Sequence, residues 1–170
     1  MGLWDKLTGT ERPAEDVPVL SKEEVRQRIL DLNRPTAPFQ IIDGTDEGVD
    51  LIAEWKIVDA QWYEIFAKAG LEKVFRIRMK FDAENHEVRN KDEEFEVAWE
   101  AGVPTLSLSA SKTIGQTKSI QFGTRFGFTE EFRPGEIYTY KFQTSEIEDP
   151  IRDVVNASGW TWKGVAFGRL

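Results

Sequence analysis

The run Lys73-Val74-Phe75-Arg76-Ile77-Arg78-Met79-Lys80-Phe81 alternates apolar and basic side chains almost one for one. Successive side chains of a strand point to opposite faces, so this rhythm suits a strand. A helix instead repeats its apolar positions every three or four residues. Phe75, Ile77, Met79 and Phe81 fall on one face, and Arg76, Arg78 and Lys80 on the other. After a turn at Asp82–His86, the run 93–99 reads the same way, with Phe95, Val97 and Trp99 inward and Glu94 and Glu96 outward. As antiparallel neighbours, these strands should set Arg76 and Arg78 against the acids between Asp92 and Glu96. Opposite charges across a strand pair stabilise it, and like charges oppose it.

The same period runs from Phe39 to Phe142. Residues 39–43 read as a strand, followed by 50–58 with Leu51, Ala53, Trp55 and Ile57 on one face and Glu54 and Lys56 on the other. Residues 60–70 fit a short helix, with Trp62 and Phe66 one turn apart, or an aromatic strand. Leu106, Leu108 and Ala110 alternate with hydroxyl residues. Residues 118–128 read as strand interrupted by glycines, and Tyr138, Tyr140 and Phe142 share a strand face.

Two segments break this rhythm with helical signatures. Ser21 and Glu24 have capping-box spacing, Leu20 and Val25 staple across it, and Val25, Ile29 and Leu32 form one stripe. Near the other end, Asp149 is placed as a cap, Pro150 as the first helical residue and Gly159 as the left-handed stop. Trp160 and Trp162 then share one face of a last strand, which Gly164 and Ala166 continue. Small residues beside two indoles imply the close approach of a neighbouring segment.

These elements predict an α+β fold. A mainly antiparallel sheet of about seven to nine strands closes as a barrel or sandwich, with an N-terminal helix and a helix near the C-terminus. The meander of basic-faced and acidic-faced strands resembles tubby-like barrels in architecture alone, and departs from them in having a strand after the last helix. A likeness of architecture implies no function. Residues 1–20 read as a flexible N-terminal arm and 21–170 as a single domain. Gly9, Pro13 and Pro18 interrupt the arm, while Leu3, Trp4 and Leu7 line one side of a helical turn that could hook into a groove or onto a membrane surface.

Composition narrows the function. A net charge of −8 argues against a nucleic-acid binder, which needs a basic footprint, and against wholesale docking on an anionic membrane. The chain has no Cys, which removes thiol nucleophiles, Cys-held zinc, iron–sulfur clusters and disulfides, and fits a cytoplasmic location. No stretch reaches the roughly 18 apolar residues of a membrane span. Gly2 lacks the Ser or Thr at position 6 that a myristoylation signal wants, and Asn156-Ala157-Ser158 is read as a chance sequon.

Candidate chemistry is sparse. From Asp43, residues at positions 1, 3, 5, 6 and 12 of a calcium loop fall on Asp43, Thr45, Glu47, Gly48 and Glu54, but the identities at 3 and 5 are poor and prolines precede the loop. The run reads better as an acidic turn. His86, the one histidine, sits in a polar turn. Ser107, Ser109 and Ser111 look like an outward strand face rather than nucleophiles, and no phosphate-binding or dinucleotide glycine motif occurs.

The reading is therefore a non-enzymatic binding or assembly module without a metal or cofactor. It uses aromatic surface and the arm to meet a protein partner or another copy, joined through an edge strand. The residues expected to carry it are Leu3, Trp4 and Leu7, then Tyr138 and Tyr140, with Trp160 and Trp162 as a pocket wall where they are not wholly core. The rivals are a β-barrel for a small apolar ligand or lipid, and a carboxylate-dependent hydrolase.

Overall fold

The computed structural model describes residues 3–35, 37–56, 66–67, 73–101, 103–108, 120–122, 141–165 and 170. In chain order the elements are α1 (Leu3–Thr8), α2 (Lys22–Leu30), β1 (Phe39–Asp43), β2 (Leu51–Trp55), β3 (Lys73–Asp82), β4 (Glu87–Glu100), β5 (Val103–Leu108), β6 (Ile120–Phe122), β7 (Lys141–Gln143), α3 (Thr144–Ala157) and β8 (Thr161–Gly164). A 3₁₀ turn, Thr45–Glu47, links β1 to β2.

Among the described residues, six strands form one open, mixed sheet, and β6 pairs with β7 separately. β1, β2, β3 and β4 follow one another antiparallel. β4 spans 14 residues and carries two neighbours end to end on its far edge. β5 pairs antiparallel with Phe95–Glu100, and β8 pairs parallel with Glu87–Asn90. The α+β class and the mostly antiparallel sheet are as the sequence implied. The described sheet is open, and falls short of the expected seven to nine strands and barrel or sandwich closure.

One face of the sheet is the core. Leu51, Ala53 and Trp55 of β2 and Phe75, Ile77 and Met79 of β3 are buried there, and Trp55 meets Phe39 and Phe75 edge-on at 6.4 and 5.9 Å. α2 lays Val25 and Ile29 in the same apolar cluster, and α3 contributes Ile147, Ile151 and Val155. Burying such a side chain stabilises by about 1.5–3 kcal/mol relative to exposing it. That is why two short helices hold to the sheet. The Ser21 capping box forms as expected: the hydroxyl accepts from Glu24 N at 3.2 Å and the Glu24 carboxylate from Ser21 N at 2.9 Å.

β4 departs from expectation. The turn at residues 83–86 fixes a register in which Phe75 is level with Glu94, Ile77 with Asp92 and Met79 with Asn90. Level residues share a face. Phe95, Val97 and Trp99 therefore lie on the face opposite Phe75 and Ile77, together with Val74. Burial along β4 changes side accordingly: Val88, Asn90 and Asp92 are buried first, then Val97. The basic stripe is also only partly matched. Arg76 is level with Glu93, but Arg78 is level with Lys91.

Two further expectations fail locally. Lys56 is not on a solvent face. It is 8% exposed, and its Nζ donates to the carbonyls of Arg34 and Pro35 at 3.3 and 3.4 Å. α3 begins at Thr144 rather than at Pro150, which lies inside it. A proline there removes one amide donor from the ladder without ending the helix, because Ile147, Ile151 and Val155 pack along its buried side. Gly159 is the left-handed stop, at φ 78°, with Trp160 N donating to Val155 O at 3.1 Å.

Candidate functional site

The segment between α1 and α2 runs alongside the segment that follows α3. Leu20 N donates to Ser158 O at 3.0 Å, and the Trp160 indole nitrogen donates to Leu20 O at 2.8 Å. Further along, Glu11 and Trp162 exchange two backbone bonds of 2.8 Å each, an antiparallel bridge that covers the free edge of β8. Gly164 N then donates to Thr10 Oγ1 at 3.1 Å. Thr10 is held in turn by Thr8, whose hydroxyl lies 2.8 Å from its own, and by its amide donating to Asp5 O at 2.8 Å.

Glycine makes this clasp possible. A Cβ on Gly164 would fall onto the Thr8 carbonyl oxygen, and one on Gly159 would stand 2.6 Å from Pro18 O. The neighbour implied by small residues beside the indoles is thus residues 8–20. Arg152 of α3 ties the clasp from the side, reaching Glu11 at 2.8 Å and Asp149 at 3.1 Å. Arg12 pairs with Asp5 at 3.5 Å.

The clasp decides where the expected site residues stand. Trp160 and Trp162 are interior, 1% and 0% exposed, with Phe81 6.1 Å from Trp160 edge-on and His86 at 5.6 Å. They belong to the core. Leu3 and Leu7 are the reverse, 86% and 57% exposed. One helical turn apart, they share a side of α1, while Thr8 at its end is buried against β8. The Trp4 side chain, Tyr138 and Tyr140 lie outside the described residues.

The outer face of the sheet carries an ion network. Glu47, on the turn between β1 and β2, accepts from both terminal nitrogens of Arg76 at 2.8 and 2.6 Å, and its carbonyl accepts from Arg78 at 2.7 Å. Glu93 lies 3.4 Å from Arg76 and 3.2 Å from Arg78 Nε. The Arg76 bonds hold the Glu47 carboxyl below its ordinary value. Burial works against the charge on Arg76, but Glu47 and Glu93 outweigh it and raise its pKa. The guanidinium also lies 5.2 Å above the Phe95 ring.

No protein-family model matches the chain, and no curated protein or solved structure matches it.

The other candidates resolve into structural contacts. The carboxylates of the calcium-like loop diverge: Asp43 bonds Arg26 at 2.7 Å, Glu47 bonds Arg76, and Asp50 accepts from Phe81 N at 2.8 Å. Asp92 and Glu148 are buried, and both are engaged by neighbours. A surface cleft of about 270 Å³ opens beside Asn33, Gln40, Ile41 and Lys56. Asn33 is a residue that pattern reading missed. Its amide donates to Ile41 O at 2.8 Å and accepts from Ile41 N at 2.7 Å, standing in for a neighbouring strand on the outer edge of β1. Its place just after a helix, before a strand, was the one available signal.

Proposed function

We propose that this chain is a binding or assembly module that meets a protein partner, another copy of itself, through the N-terminal helix. The observation that carries it is the pair Leu3 and Leu7, exposed on a helix whose last turn is locked to β8. A scattered exposed leucine means little, since most surfaces carry some. Two on one side of an anchored helix form a preorganised apolar anchor, and preorganisation removes part of the ordering cost of binding. Interfaces draw most of their energy from a few side chains that become fully buried. A net charge of −8 keeps the remaining surface soluble.

The test is sedimentation of the wild type and the Leu3→Ser/Leu7→Ser double variant at high salt, where charge contacts are screened. The expected result is a wild-type oligomer and a folded monomeric variant. Identical masses for the two proteins would contradict this reading. The rival proposals, a barrel for an apolar ligand and a carboxylate-dependent hydrolase, predict a monomer indifferent to both leucines.

A further inference from the structure

The N-terminal arm docks on the body as one piece. The bonds that fix Thr10 and Glu11 to the body all end between Arg152 and Gly164. Glu11 exchanges two backbone bonds with Trp162 and pairs with Arg152 at 2.8 Å, and Thr10 Oγ1 accepts from Gly164 N. The Thr8 carbonyl fills the space that a side chain on Gly164 would take. The bonds from Thr10 N and from Arg12 to Asp5 are internal to the arm. This set of contacts is the same whichever copy of the chain supplies the arm.

The connection between arm and body is slack. Leu20 is fixed beside Ser158 and Glu11 beside Trp162. Ser158 and Trp162 are at most about 14 Å apart along their segment, whereas the chain from Glu11 to Leu20 can span about 30 Å. The excess folds back at Ala14–Val17, where Val17 N donates to Ala14 O at 3.3 Å, the one backbone bond within residues 12–19 among those described. Arg12, Ala14, Glu15, Asp16, Pro18 and Val19 are exposed. Pro13 and Pro18 have no amide to lose when that turn opens, and each holds the residue before it extended. Such a hinge opens at little cost. Straightened, it carries α1 and residues 8–11 far enough to reach β8 of a neighbouring copy. Val19, at the root of the hinge, is 51% exposed, and two crossing hinges side by side would cover it.

We infer that the arm is exchanged between two copies: residues 3–11 of each dock on β8 of the other, with residues 12–19 as the crossing hinge. Exchange keeps the arm contacts of the single chain and adds those that two copies make together, which is why it is a low-cost route to a dimer. The pair is isologous and closed, so it stops at two. The inference rests on the reading above in taking a second copy as the partner, and adds how that copy is engaged.

Native mass spectrometry of mixed Glu11→Arg and Arg152→Glu variants tests it, with one variant isotope-labelled. Each variant alone sets like charges at positions 11 and 152. In an exchanged mixed dimer both sites regain opposite charges, because each arm lies on the other variant's body. Mixed dimers should therefore outnumber the two pure dimers together by about threefold or more. Random pairing, with mixed and pure dimers equally abundant, overturns the exchange. A second measurement needs no charge reversal. The chain has no Cys, so Glu11→Cys/Arg152→Cys treated with a short bismaleimide should give covalent dimers on a denaturing gel, and monomers linked only within themselves would contradict the exchange. A monomeric wild type overturns this inference together with the reading beneath it. A dimer that Leu3→Ser/Leu7→Ser disperses, but that pairs at random and links within single chains, overturns the exchange alone.

Discussion

Gly164 shows how one residue constrains the rest. Its missing side chain is the space through which Thr8 crosses β8, and any Cβ there meets a backbone carbonyl that cannot rotate away. Gly164→Ala should cost about 1–3 kcal/mol in chemical denaturation, the range for an overpacked core position, and should release residues 8–11. An unchanged midpoint would mean that the two segments do not cross so closely. Glu47 gives a second test. Its folded pKa is depressed below the ordinary 4.5, so its contribution is present above that value and is lost as pH falls through the lowered one. The stability difference between wild type and Glu47→Gln should therefore shrink as pH drops below about 4.5. The pair is partly exposed, so the difference at neutral pH should be under about 1 kcal/mol. A difference that does not vary with pH would contradict the Arg76 bond. For Gly164 the sequence implied a close neighbour but not which one, and for Glu47 it implied nothing, because each acts on a partner far along the chain.

At the scale of elements, alternation and caps were legible because they are local. The strands at residues 39–43, 51–55 and 73–82, the Ser21 capping box and the Gly159 stop all depend on residues within a turn or two of each other. Register is not local in that sense. Whether Phe95 or Glu94 lies beside Phe75 depends on how many residues the turn after β3 takes, so β4 was identified as a strand but given the wrong face. Edges have the same property. Asn33 occupies both backbone groups of Ile41, and so blocks that point of β1 from pairing with another chain. Asn33→Ala should destabilise the protein by about 1–3 kcal/mol in urea titration, since it leaves a half-buried donor and acceptor unpaired. It should also raise aggregation seen by light scattering. A variant as stable and as dispersed as the wild type would remove the edge-blocking role.

Over the whole molecule, the N-terminal segment is a structural strap as well as a candidate interface. Residues 8–20 bond to residues 158–164 at Leu20, Glu11 and Thr10, and this holds α1 with Leu3 and Leu7 facing outward. A pairing between segments so far apart in sequence leaves no periodic trace, and the prolines and glycine of the arm suggested only irregularity. The small residues beside Trp160 and Trp162 were the visible half of the contact; Thr8 and Thr10 were the hidden half. Amide hydrogen exchange at Glu11 and Trp162 tests this strap most directly. The account predicts that both amides are protected together, close to the level of the core amides of β3 and β4, because they exchange bonds with each other across the edge of β8. Rapid exchange at Glu11, with Trp162 also open while β3 stays closed, would show the strap undone and leave Leu3 and Leu7 on a free arm.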